Sequence, residues 1–237
     1  MLQPANFFDL SDSFTAQFFV GCDNAWQVLG RLGKIVAGLT GSTCAIHGEV
    51  MPGAYIGERG IYIAASARVE PGAYVMGPAY IGEDVIIRHG ALVRENVILL
   101  RGSILGHASE AKNSLFLPRA YAPHFNYVGD SILGHRVNLG AGTKLGNLTL
   151  LSEKDTVTKK RPTVKLDIGG SEIDTGLPKL GAILGDDVQT GCNSVLNPGC
   201  LVGQNTLIYA NVSLHKGYYP AQSIIKLRQN HEITIRR

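Results

Sequence analysis

Arg94 and Lys112 stand eighteen residues apart, and so do His89 and His107. In a chain that winds back on itself every eighteen residues, each pair would lie on neighbouring coils, one interstrand spacing of ~4.8 Å apart. Two cations held that close repel one another unless an anion lies between them. A phosphate meets that demand, taking paired hydrogen bonds from an arginine and a point charge from a lysine. The competing reading is that Glu95 or Glu110 neutralises the pair and nothing binds. Stacked imidazoles would ligate a metal only with a third histidine, for instance from a neighbouring subunit. No second histidine closely follows His107 or His124, so exposed corner histidines are the plainer reading. His47, His135, His215 and His231 form no constellation.

Such winding is what the aliphatic residues prescribe. Ile63, Val69, Val75, Ile81, Ile87, Val93, Leu99 and Leu105 are spaced six apart, and Ala67, Ala73, Ala79, Val85, Ala91, Val97 and Ser103 follow the first seven by four. The step resumes at Leu184, Thr190, Leu196, Val202, Ile208 and Leu214. A period of six suits neither an α-helix nor a simple strand alternation. It suits an all-β solenoid, a parallel β-helix of hexapeptide repeats with three short strands and about 18 residues per coil. The 29 glycines suit a fold that turns a corner every six residues.

The β-helix is expected over residues 44–215, with Leu133, Leu139 and Leu145 keeping the step between two loop insertions. The first, 108–127, breaks the register and carries Pro118 and Pro123; the second, 148–182, is polar and holds Lys159-Lys160-Arg161, read as a solvated loop. Residues 1–43 form an N-terminal helical segment. Ala25, Val28, Leu29, Leu32, Ile35, Val36 and Leu39 mark one helix face behind Asn24 as cap, and Phe14 and Phe18 mark a shorter helix. This segment is expected to cover the open end of the solenoid, where unpaired strand edges invite association; a linker to a partner domain is the rival. The tail, 216–237, holds Tyr218-Tyr219-Pro220 and an alternating Glu232-Ile233-Thr234-Ile235, a candidate extra strand.

A net charge of +3 argues against a nucleic-acid groove. Cys22, Cys44, Cys192 and Cys200 show neither C-x-x-C nor zinc spacing and read as reduced thiols. The N-terminus lacks a secretory pattern, and no apolar run approaches the ~20 residues of a membrane span. A soluble cytoplasmic protein without membrane contact is the expectation.

Three further elements are more specific: Glu110-Ala111-Lys112-Asn113-Ser114, then His124-Phe125-Asn126-Tyr127-Val128-Gly129-Asp130, then Asn138-Leu139-Gly140-Ala141-Gly142-Thr143. In order and spacing they resemble the acetyltransferase domain of the bifunctional glucosamine-1-phosphate N-acetyltransferase/UDP-N-acetylglucosamine pyrophosphorylases. The likeness is strongest over 94–147 and looser from about 44 to 215. It implies a left-handed parallel β-helix assembled as a homotrimer with sites between subunits, acetyl-CoA as co-substrate, and no metal. His124 would be the base that takes a proton from the sugar's amino group. Arg94 and Lys112 would hold the phosphate, and Tyr127, Asn138, Asn147 and Lys179 would line the amino-sugar pocket. Ala141, Cys192 and Ala210 match positions around the acetyl-CoA thioester and pantetheine arm, with Cys192 where serine is usual. The residue types suit the chemistry: an ammonium cannot attack a thioester, and histidine, with a reference pKa of about 6.5, accepts its proton. A backbone N–H in the Asn138–Thr143 turn would stabilise the oxyanion.

Two departures qualify the acceptor. No G-x-G-T-[RK]-M-like loop is present, so pyrophosphorylase activity is not expected. After Asn147 the family's N-Y-D-G gives way to an insertion, Leu148 to Pro178, leading into Lys179-Leu180-Gly181-Ala182, which resembles archaeal-type sugar-1-phosphate nucleotidylyltransferases. The expected activity is acetyl transfer from acetyl-CoA to the amine of a hexosamine 1-phosphate, glucosamine 1-phosphate first, for nucleotide-sugar synthesis. One alternative is a non-catalytic sugar-phosphate-binding or regulatory partner of a separate sugar nucleotidyltransferase, docked through the N-terminal helices. Another is a metal-dependent hydratase of the γ-carbonic-anhydrase type using His89 and His107.

Overall fold

A computed structural model describes residues 2–150, 152–230 and 234–235. Inward-pointing aliphatic residues of successive hexapeptides, from Ile63 to Leu214, fill a single prism-shaped core, most of them fully buried. Three parallel sheets wall that core. Among the described residues the first sheet has nine strands, from Ala45–Ile46 to Gly217–Tyr219. The second also has nine, from Glu49–Val50 to Ile224–Ile225, and the third eight, from Tyr55–Ile56 to Ser213–Leu214. The expected all-β hexapeptide solenoid is therefore present.

Residues 108–127 are not a loop insertion. They contribute strands Glu110–Lys112, Ser114–Phe116 and Tyr121–His124, one to each sheet, with Ala111, Phe116 and Ala122 pointing into the core. The register shifts because single residues drop out after Ala111 and after Val128. Leu99 pairs with Phe116, Leu105 with Ala122 and Ala111 with Val128, so these rungs are seventeen residues apart instead of eighteen. The shortened corners put Asn113 and Asp130 at φ 44° and 45°, a region that Asn and Asp tolerate through their short polar side chains. The second excursion is real. The chain leaves the third sheet after Leu145 and rejoins the first at Ala182–Leu184, where Leu133 pairs with Leu184. It folds into an antiparallel hairpin, Lys165–Ile168 with Ser171–Asp174.

The N-terminal segment does not cap the open end. It runs along the outside of the first sheet. Phe7 packs edge-on against Tyr218 near the last coils, and Asp186 donates its N–H to the Phe7 carbonyl. A 3-10 helix, Ala25–Arg31, begins at an Asn24/Gln27 capping box and leads into α-helix Leu32–Thr40, which reaches the strands Ile61–Ile63 and Ala79–Ile81 near the first coils. The reason lies in the outward residues of the first sheet: Tyr62, Tyr80, Ile98, Leu115, Ile132, Ile183, Leu201 and Tyr218 are all apolar or aromatic. Covering this face buries Ile98, Leu115, Ile132, Ile183 and Leu201 fully, at about 1.5–3 kcal/mol each. Leu166 and Leu177 of the excursion join the same apolar layer.

The tail keeps coiling past residue 215. Gly217–Tyr219 and Ile224–Ile225 extend the first and second sheets, with Tyr219 and Ile225 packed on the core. Of the alternating segment expected to form a strand, Glu232 and Ile233 lie outside the described residues, as does His231.

Candidate active site

The first group of site residues gathers on the outer surface of the third sheet. Pairing of Leu92 with Glu110 and Val93 with Ala111 sets Arg94 beside Lys112, as the eighteen-residue spacing predicts. Both cations are already engaged. Arg94 donates to Glu110 at 3.0 Å and lies 3.6 Å from Glu95, while Lys112 lies 3.1 Å from Glu95. The hydrogen bond from Arg94 to Glu110 raises the arginine pKa further. Burial favours the protonated form of Glu95, yet its backbone and Lys112 hydrogen bonds outweigh that and hold its carboxyl below the usual range. The cluster is thus two cations interleaved with two carboxylates.

One rung on, Tyr127 pairs with Glu110, and Gly129 with Lys112. Burial raises the Tyr127 pKa, with the nearby carboxylates of Glu110 and Asp130 adding to it, so the hydroxyl stays protonated. Its oxygen lies 3.5 Å from the Asn147 side-chain oxygen. The excursion starts at this point and also returns to it. Leu180 donates its N–H to the Asn147 carbonyl at 3.2 Å and Gly181 to that of Asp130 at 2.8 Å, which brings Lys179 back beside Asn147.

A second group forms a column along the corner between the second and third sheets. His107 and His124 are strand partners, and the His107 carbonyl accepts from Phe125. The carbonyls of His124, Ala141 and Cys192 accept in turn from Gly142, Asn193 and Asn211, at 3.0, 2.8 and 2.9 Å. His124, Ala141, Cys192 and Ala210 therefore succeed one another on four consecutive coils, spanning about 15 Å at ~4.8 Å per rung. His89 and His107 continue the column upward as a near-parallel stack, with ring centroids 5.4 Å apart. Each points its Nδ1 at the carbonyl of the coil before, Pro71 at 2.8 Å and His89 at 3.0 Å. Among the described residues, no group of three His, Cys, Asp or Glu side chains is placed to hold a metal ion. The column thus changes from imidazoles to the small side chains Ala, Cys and Ala below His124. Ala141 N–H has no hydrogen-bond partner among the described residues.

His124 is exposed, and its N–H is tied to Asn126 Oδ1 at 3.0 Å. Asn126, which sequence reasoning passed over, is 2% exposed and also donates to the Gly140 carbonyl at 2.8 Å, clamping the His124 corner to the next coil. Asn138 stands apart from the Arg94 group: it lies on the second sheet, paired with Tyr121 and Gln189. Within one chain, His124 and the Arg94–Lys112 pair border opposite edges of the third sheet. The stretch from His124 to Gly129 spans no more than ~18 Å. All four cysteines are free; burial pushes the Cys200 thiol up to about 12, whereas Cys192 in the column is exposed.

Coils, corner column and charged cluster together define a hexapeptide-repeat β-helix protein. No protein-family model matches the chain. It is 34% identical over 193 residues to the bifunctional protein GlmU of Methanococcus maripaludis, covering 78% of this chain and 42% of that protein. It is 34% identical over 156 residues to a bifunctional sugar-1-phosphate nucleotidylyltransferase/acetyltransferase of Sulfurisphaera tokodaii, covering 66% of this chain and 37% of that protein. Among solved structures, a UDP-N-acetylglucosamine acyltransferase from Campylobacter jejuni aligns over 73% of this chain and 69% of its own, at 15% identity and a TM-score of 0.47. The chain is related to these bifunctional proteins, as its three motifs imply, and spans less than half of their length. Among the described residues no helix is long and apolar enough to cross a membrane.

Proposed function

We propose that the protein is an acyltransferase that moves acetyl from acetyl-CoA to the amino group of a hexosamine 1-phosphate, with glucosamine 1-phosphate the leading acceptor. The observation that carries this reading is the corner column, with the exposed His124 imidazole at the head of a strip of small side chains, Ala141, Cys192 and Ala210. In this reading a long, thin pantetheine arm lies along that strip, with its thioester carbonyl near the free Ala141 N–H and His124 within reach of the attacking amine. The mixed charge of the Arg94 cluster supports the acceptor class. A zwitterion carrying a phosphate and an ammonium exchanges partners with the existing ion pairs, phosphate to Arg94 and Lys112 and ammonium toward Glu110 or Glu95, without stranding a charge.

In this reading His124 removes a proton from the ammonium, the freed amine attacks the thioester carbonyl, and the Ala141 N–H steadies the oxyanion until the C–S bond breaks, the nitrogen's second proton passing to the departing CoA thiolate to leave the amide and the free thiol. Asn138 on the second sheet and the Arg94 cluster on the third flank the column from opposite sides. A homotrimer that packs these flanks against one another closes the acceptor pocket with residues of two subunits. The motifs and the relatives named above support a role in nucleotide-sugar synthesis.

The test is thiol release from acetyl-CoA in the presence of glucosamine 1-phosphate. Wild-type protein turns over, and His124→Ala loses about 10²- to 10⁴-fold in kcat while its unfolding temperature is unchanged, because the ring is exposed. Wild-type protein that binds the sugar phosphate without releasing thiol would instead identify a non-catalytic partner of a nucleotidyltransferase.

A further inference from the structure

Asn113, Asp130 and Asn147 stand seventeen residues apart and meet at one corner, between the third and first sheets. The Asp130 carboxyl group, in a residue 8% exposed, lies between the two amides. Its Oδ1 accepts from Asn113 Nδ2 at 2.8 Å and its Oδ2 from Asn147 Nδ2. An ionised carboxylate only accepts hydrogen bonds. Both amides must therefore turn their NH₂ groups toward Asp130, and the Asn147 oxygen must face the other way. There it meets the Tyr127 hydroxyl, which donates to it at 3.5 Å. Spending the Tyr127 proton on Asn147 leaves the phenol oxygen lone pairs facing the outer surface of the third sheet.

We propose that Asp130 is a positioning residue. It locks the Asn147 amide in one of its two orientations, and through that amide makes Tyr127 an acceptor toward the amino-sugar pocket. This inference rests on the function proposed above. Without Asp130 the amide is free to flip; its NH₂ would then face Tyr127, and the phenol would present a proton where the substrate ammonium needs a lone pair.

The ladder supplies its own control. Asn113 and Asn147 each donate to a different oxygen of Asp130, so in Asp130→Asn an NH₂ takes the place of one of those oxygens, faces another NH₂, and leaves either Asn113 or Asn147 without its partner. In Asn113→Asp/Asp130→Asn, the carboxylate moves one rung away. Position 130 now donates to position 113, and its oxygen still accepts from Asn147. Net charge and the Asn147 orientation are both restored. The expected result for D130N is a fall of about 10- to 100-fold in kcat/KM for glucosamine 1-phosphate, with KM for acetyl-CoA unchanged. The double variant recovers most of that loss, and it reads the proposal even where D130N folds poorly. With active wild-type protein, an unimpaired D130N, or a folded double variant as defective as D130N, overturns this inference alone. Wild-type protein without turnover overturns the proposed function and this inference with it.

Discussion

Gly129 tests the acceptor pocket without touching a charge. A methyl group added there would lie 2.7 Å from Asn147 Nδ2, 2.8 Å from the Tyr127 hydroxyl and 2.9 Å from Asn147 Cγ. All three atoms belong to side chains that are only half-buried, and Gly129 is not among the positive-φ glycines, so the backbone accepts alanine. To reach an ordinary contact of ~3.5 Å, the hydroxyl and the amide must each retreat by roughly 0.7–0.8 Å. Because both are pushed from one point they spread apart, and a hydrogen bond already at 3.5 Å does not survive. The stability terms nearly cancel. Crowding costs about 1 kcal/mol at the low end of overpacking, and replacing glycine returns about 0.4–1 kcal/mol through the unfolded chain. Catalysis has no such offset. A displacement near 1 Å costs about 10²-fold, or roughly 2.7 kcal/mol of transition-state stabilisation. Steady-state kinetics of Gly129→Ala should therefore show kcat/KM for glucosamine 1-phosphate down about 100-fold, beside an unfolding midpoint close to wild type. A variant with wild-type kinetics refutes the placement of Tyr127 and Asn147 at the acceptor. One whose activity falls only in step with its stability refutes it equally.

Three further outcomes follow from other parts of the molecule. Arg94→Ala and Lys112→Ala should each raise KM for the phosphorylated sugar far more than for acetyl-CoA; equal effects on both substrates contradict the phosphate assignment. Ala210→Tyr sets a large ring at the exposed foot of the corner column and should raise KM for acetyl-CoA, leaving sugar-phosphate affinity by calorimetry unchanged. Leu115→Ala removes a fully buried side chain that points away from the solenoid core and under the N-terminal segment. It should cost about 2–5 kcal/mol in denaturant unfolding, whereas a loss below about 0.5 kcal/mol would mean that the first sheet is not held covered.

How much of this was legible depended on where the repeat kept its step. Arg94 and Lys112 lie where every coil has eighteen residues, and arithmetic alone placed them side by side. His124 lies beyond a rung of seventeen, so a search at eighteen paired His89 with His107 and stopped there. Allowing one missing residue extends the column to His124, and the same allowance brings Asn113, Asp130 and Asn147 into line. The alanines at 111 and 122 hid the inward positions, because a small residue in the core reads like a corner residue. Asn126 gave no signal, since a buried asparagine that clamps two coils has the composition of any turn.

The covered sheet was also written in the sequence, one position to the side of the repeat. The residue before the inward aliphatic is Tyr62, Tyr80, Ile98, Leu115, Ile132, Ile183, Leu201 and Tyr218 on the first sheet. On the third it is Tyr74, Leu92, Glu110, Tyr127 and Lys144, which turns polar at the candidate site. A solenoid end needs only a few apolar residues to cover it, while eight in a row along one face call for a partner as long as the solenoid. The N-terminal segment is that partner, and Asp186 fastens it near the last coils by accepting from Asp9 N–H at 2.7 Å and His135 N–H at 2.7 Å. With the first sheet occupied by its own chain, the second and third sheets and the corner they share are left for the cofactor, acceptor and neighbouring copies that the proposed function requires. The residues proposed for the site all border that corner or the sheets beside it.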